Sequence, residues 1–181
     1  MMGAIPLQDA HRLAPAAPDE EHVYGACSPG WHTAADYETS LAEWIEDMRS
    51  AGIERVCCLM VGPSTGSSPA NVCAYESAFG TDRVLHAPIP NGELVSRSLL
   101  ETEILPFLQA AKRAGEPVVV HGLAGLARTG QVLAAWLVRD RDYRAREAVR
   151  TVRRTGRDPS DAIRRGNATE DDLYELLQSV A

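Results

Sequence analysis

Apolar positions recur along the chain with two alternating periods. Leu41, Trp44, Ile45 and Met48 share one helix face, opened by the capping-box pattern Ser40-Leu41-Ala42-Glu43 and stopped at Gly52. The run ERVCCLMV (54–61) reads as a buried strand, GPSTGSSPA (62–70) as a loop, and Val72–Phe79 as a short helix. RVLHAPI (83–89) is a second strand. A long helix over 96–114 carries Leu99, Leu100, Ile104, Leu108 and Ala111 at helical spacing, with a kink expected at Pro106. PVVVH (117–121) is the most apolar strand and is expected at the centre of the sheet. Helices over 129–140, 143–155 and 169–179 close the chain. Strands alternating with helices predict an α/β fold, a mainly parallel central sheet flanked by helices.

Composition narrows the class. With 181 residues, 45% of them hydrophobic, the chain can bury a full core, and a single domain over 23–181 is expected. Residues 1–22 read as a loosely ordered, Pro/Ala-rich lead-in without the basic start and apolar run of a secretory signal. A formal charge of −7 argues against nucleic acid or an anionic membrane as partner, and no apolar run approaches the roughly 18 residues that span a bilayer. Cys27, Cys57, Cys58 and Cys73 show no paired spacing, which fits a reduced, cytoplasmic chain. Vicinal Cys57 and Cys58 should point to opposite faces of their strand. Cys27, His32, His11, His22 and His86 lack ligand spacing, so no metal and no other cofactor is expected.

The chemistry concentrates in VVVHGLAGLARTGQVLAAWLV (118–138). A strand runs into a tight turn and the turn into a helix, whose unpaired first amides and dipole favour an anion. Gly125 allows the backbone to turn, and Arg128 offers a planar fork for two oxygens of one phosphate. The Gly-Lys-Ser/Thr ending of a nucleotide loop is absent, so the cradle suits a terminal phosphoryl group.

His121, Gly125, Arg128, Thr129 and Gly130 match the signature of the cysteine-dependent tyrosine and dual-specificity phosphatases. HGLAGLARTG resembles the common form His-Cys-Leu-Ala-Gly-Leu-Gly-Arg-Thr-Gly in eight of ten places. HAPIPNGELVS (86–96) is similar to the upstream segment that carries the family's general acid, and the resemblance spans roughly 23–179. It implies a phosphatase fold in which Gly122, Leu123, Ala124, Gly125, Leu126, Ala127 and Arg128 bind phosphate while His121 and Thr129 support the loop. Thr129 could equally serve as a plain helix N-cap. It also implies that Gly122 stands where the nucleophilic cysteine belongs, and Asn91 where the acidic aspartate belongs.

Neither replacement performs the missing step: glycine has no side chain, and an amide has no titratable proton near neutral pH. Binding fares better. A thiolate beneath a phosphate, about 4 Å away at an effective dielectric near 20, repels it by roughly 4 kcal/mol. Removing that repulsion outweighs the ~0.5–1 kcal/mol that glycine costs in loop order. The expectation is a pseudophosphatase or inactivated variant that holds a phosphorylated protein or small phosphoester.

Three rival readings accompany it. Residual hydrolysis could use water positioned by Glu93 or Asn91 on a phosphate held by Arg128. GPSTG (62–66) matches the elbow of a serine esterase through Ser64, although no helix follows it directly. The arginines of 139–165 read as a solvated helix face, with the alternative that they steer an acidic or phosphorylated segment toward the cradle.

Overall fold

The computed structural model describes residues 11–31, 36–62 and 70–181. Five strands, β1 (Ala14–Pro15), β2 (Val23–Ala26), β3 (Arg55–Cys58), β4 (Val84–His86) and β5 (Val118–His121), form one sheet in the order β1-β2-β5-β3-β4. All neighbours are parallel except β1 against β2. β5 occupies the centre, as its uninterrupted apolar character predicts.

Eight helices flank the sheet among the described residues: α1 (Tyr37–Ser50), α2 (Ala70–Phe79), α3 (Arg97–Leu99), α4 (Leu105–Ala114), α5 (Ala127–Arg141), α6 (Ala145–Arg154), α7 (Asp161–Arg164) and α8 (Glu170–Ser179). Alternation along β5 divides the core. Val118 and Val120 face a cluster built with Leu105, Leu108, Leu133 and Leu177, while Val119 faces Trp44, Met48 and Tyr75. Cys57 and Cys58 follow the same rule, one on each side.

Several expectations need correction. Residues 11–22 are not a loose lead-in: Leu13, Ala16 and Ala17 are buried, β1 pairs with β2, and the buried Glu20 carboxylate accepts from Trp136 and Arg141. Helix α1 begins before the anticipated capping box, because Asp36 accepts from the Thr39 amide and Ser40 is buried in the first turn. In the 96–114 helix, a π-helical turn at Leu100–Ile104 directly precedes α4. The Leu105 amide donates to the Leu100 carbonyl there, so the distortion lies before the proline rather than at it. Gly115, in the left-handed conformation, ends α4. Ser64 and His32 lie outside the described residues.

Candidate functional site

The carboxyl ends of β2, β5 and β3 lie side by side, with Ala26 paired to His121 and Cys58 paired to His121 from the other flank. The chain leaves β5, turns through 122–126 and enters α5 at Ala127, so the turn sits at the strand ends where open α/β sheets bind ligands. Residues 122–129 wall a cavity of about 220 Å³, and Trp31, Asn91, Asp158, Asp161, Arg164 and Arg165 complete its lining. That volume is below the roughly 300–1,000 Å³ of pockets that engulf a drug-sized molecule. It suits a small head group whose remainder stays outside.

Three features hold the turn. Gly125 adopts φ +76°, and a Cβ there would stand 2.5 Å from the Ala26 carbonyl oxygen, so only glycine lets the loop lie against β2. The buried Arg157 guanidinium donates to the Gly125, Gly25 and Arg12 carbonyls at 2.7, 2.7 and 2.6 Å. Burial pushes its pKa down to about 10, which leaves it cationic at neutral pH. The Leu123 carbonyl accepts from the Ser28 amide at 2.9 Å, joining the turn to the segment after β2.

His121 is fully buried at the end of β5. Its Nδ1 lies 2.9 Å from the Gly122 carbonyl, which only accepts, so Nδ1 carries the hydrogen. Nε2 therefore accepts from the Tyr75 hydroxyl at 2.9 Å, and Tyr75 in turn accepts from Asn71 at 3.0 Å. Burial lowers the imidazole to about 4, with the nearby Arg128 charge acting in the same direction against the Gly122 hydrogen bond. The ring is a neutral brace, packed edge-on to Trp44 at 5.2 Å and Tyr75 at 5.6 Å.

Arg128 folds inward, with its side chain almost entirely buried and Nη1 donating to the Ile89 carbonyl at 2.9 Å. Burial lowers its pKa, opposed by the charges of Cys58 and Asp161. A Cβ built on Gly122 would lie 3.4 Å from Arg128 Nε and 3.6 Å from Cζ and Nη2. Gly122 and the guanidinium thus lie against each other in the lining of the cavity. Its own amide is already committed, donating to the Thr129 hydroxyl at 3.0 Å. Thr129 sits within α5 rather than capping it, since the helix starts two residues earlier and Leu126 makes no side-chain cap.

Asn91, exposed on the rim, is brought to the cavity by a turn clamped from behind. Gln131 on α5 accepts from the Val95 amide at 2.8 Å and donates to the Glu93 carbonyl at 3.3 Å. Asn167 donates to the Gly92 carbonyl at 2.8 Å. Glu93 itself is exposed and is not among the residues that line the cavity. Asp158 and Asp161 are, and sequence reasoning missed them together with Trp31, Gln131 and the clamp Arg157. The arginines of 139–165 therefore have mixed roles: Arg157 is a buried tie, Arg164 and Arg165 are rim residues, and Arg146 stacks on Tyr174 at 4.3 Å.

The other scattered candidates stay apart. His11 pairs with Asp47 at 2.7 Å, and His86 bonds the Met60 carbonyl at 2.7 Å. Cys57 and Cys58 are buried, and burial raises both thiols, Cys58 to about 11. No helix among the described residues is long and apolar enough to cross a membrane.

Comparison with known proteins agrees with the geometry. The family model of the dual specificity phosphatase catalytic domain matches residues 96–176. A crystal structure of Tk-PTP, in a mutant form, superposes with a TM-score of 0.65 at 27% identity, covering 90% of this chain and 91% of that one. PTPMT1 in complex with PI(5)P gives 0.66 at 15% identity over 93% and 96%. Kinase associated phosphatase, with its catalytic-site cysteine substituted by serine, gives 0.63 at 17% identity over 87% and 84%. At those lower identities the last two establish the fold alone. None of the curated proteins searched matches the chain.

Proposed function

We propose that this chain is a member of the tyrosine and dual-specificity phosphatase superfamily, to whose members it is similar, and that it holds a phosphorylated ligand in the 122–128 turn without the superfamily's covalent step. Gly122 takes the nucleophile's position in this reading and Asn91 the general acid's. The observation that carries the reading is the inward, buried Arg128 in the lining of a small cavity walled by the turn. A guanidinium held there meets two oxygens of a tetrahedral dianion as a fork, and the first amides of α5 complete the donor set.

The same geometry supports inactivity. No side chain at Gly122 can attack phosphorus, and the two cysteines of β3 are buried with raised thiol pKa values, so neither substitutes. General-acid help, worth about 10²–10⁴ in rate, is missing at an amide. A water route through Glu93 loses support from its position outside the cavity lining. Asp158 and Asp161, which do line it, are held in ion pairs with Arg164 and Arg165.

Calorimetric titration with inorganic phosphate and with phosphotyrosine, in wild type and Arg128→Ala, tests the proposal. The expected result is saturable binding that weakens about tenfold to 100-fold in the variant, with no Arg128-dependent hydrolysis of p-nitrophenyl phosphate. Binding indifferent to Arg128, or vigorous turnover by the wild-type chain, would overturn it.

A further inference from the structure

Resting on the reading above, we infer that Arg164 and Arg165 select the ligand: a phosphopeptide with acidic residues beside its phosphorylated residue. One phosphoryl group in the turn is served by Arg128 and backbone amides. The two arginines exceed that need while lining the same cavity.

Their present partners are carboxylates of the same short segment. Arg164 bonds Asp158 at 2.6 Å and approaches Asp161 at 3.6 Å, while Arg165 Nε bonds Asp161 at 2.9 Å. Formal charge cancels, but exposure does not. The arginine side chains are 58% and 52% exposed, against 36% for Asp158 and 23% for Asp161. The rim therefore presents its cations outward and its anions inward. Pairs of this exposed kind contribute little to stability, so a carboxylate of the ligand can replace a carboxylate of the chain at small cost.

Arg165 is positioned for this role by packing. Its stem crosses Gly92, where a Cβ would stand 2.7 Å from Cδ, so the guanidinium is held beside the Asn91 turn rather than swinging in solvent. Trp31 and Leu123, also in the cavity lining, are exposed and offer apolar surface to the backbone and side chains of a peptide. A membrane-borne phosphoinositide is the competing source of clustered anionic groups. The chain's formal charge of −7 disfavours approach to an anionic bilayer, whereas a short peptide experiences the local rim.

Fluorescence anisotropy with three labelled phosphotyrosine peptides, flanked by acidic, neutral or basic residues, tests the inference on the full chain. Vesicles containing phosphatidylinositol phosphate are run in parallel. The acidic peptide is expected to bind about three- to tenfold tighter than the neutral one, and the basic peptide weakest. Arg164→Ala/Arg165→Ala should bring the acidic-to-neutral affinity ratio to about one, whatever loss all three peptides share once Asp158 and Asp161 stand unpaired beside the phosphate. Asp161→Asn, which frees Arg165 while Arg164 keeps Asp158, should tighten the acidic peptide about two- to threefold relative to the neutral one, a gain that misfolding cannot mimic. Equal affinity for the three peptides, or a preference that survives the double variant, overturns the inference and leaves the phosphate reading standing. Vesicle binding that exceeds acidic-peptide binding overturns it as well. Loss of all Arg128-dependent binding, in contrast, removes the phosphate reading on which it rests.

Discussion

The Gly122 amide donates to the Thr129 hydroxyl across 3.0 Å, joining the first residue of the turn to the first full turn of α5. This bond closes the cradle on itself before any ligand arrives. It also turns one N–H of the stretch away from the cavity, so the donor set for an anion consists of the later amides and Arg128. Thr129→Val keeps the shape of the side chain but leaves the buried Gly122 amide without an acceptor. We expect a loss of about 1–3 kcal/mol in urea denaturation and several-fold weaker phosphate binding in calorimetry.

Rebuilding the missing chemistry should restore turnover. The atoms nearest a Cβ at Gly122 belong to the Arg128 guanidinium, the closest at 3.4 Å, so a cysteine Cβ is accommodated with at most a small adjustment. Arg128 and the α5 terminus would favour its thiolate. Gly122→Cys is expected to give slow hydrolysis of p-nitrophenyl phosphate, and Gly122→Cys/Asn91→Asp a further increase of about 10²–10⁴. An inert double variant that still binds phosphate would show that Gly122 and Asn91 are not the positions from which chemistry was lost.

Much of this could be read from periodicity, and the failures share a cause. β3, β4 and β5 announce themselves by apolar runs, and α5 by its motif. β2 does not, because Val23–Ala26 is short and contains Gly25, and its strand character comes from pairing with β5. Arg157 escaped notice because a buried arginine and a solvated one look alike in a row of arginines. What distinguishes it is three carbonyls from residues 12, 25 and 125, brought together only by the fold. Asp36 and Ser40 are both competent caps, and tertiary burial of Ser40 decided between them. The core of the motif was legible since its residues are contiguous. The rim was not, since Trp31, Asn91 and the 158–165 segment meet there from three distant parts of the chain.

Gly125→Ala should disable the turn. The residue combines φ +76° with backbone atoms of Ala26 and Cys27 within 2.7 Å of the added methyl, and backbone cannot move aside as a flexible side chain can. Left-handed strain and overlap together predict a loss above about 2 kcal/mol in denaturant melts. Phosphate binding should fall below detection even at temperatures where the variant remains folded, because the turn must lift off β2.

The neutral His121 brace makes stability depend on pH in a defined window. Its pKa is about 4 in the fold, against an ordinary value near 6.5 in the unfolded chain. Between those values the unfolded state takes up a proton that the native imidazole refuses, so lowering pH favours unfolding. The contribution is complete above the unfolded value and declines as pH falls toward 4, by about 3 kcal/mol in all. The ring accepts from Tyr75 and donates to Gly122, so protonation at Nε2 ends the acceptance from Tyr75 and forces the Tyr75 hydroxyl to reorient. Urea denaturation at intervals from pH 7 to 5 should show falling stability in wild type and a shallower decline in His121→Gln. This difference isolates His121 from the other histidines, which both proteins share. Parallel slopes for the two would mean that the imidazole takes up its proton in the fold as readily as in the unfolded chain, and a relative gain of wild type as pH falls would mean that it is already charged; either result overturns the neutral brace.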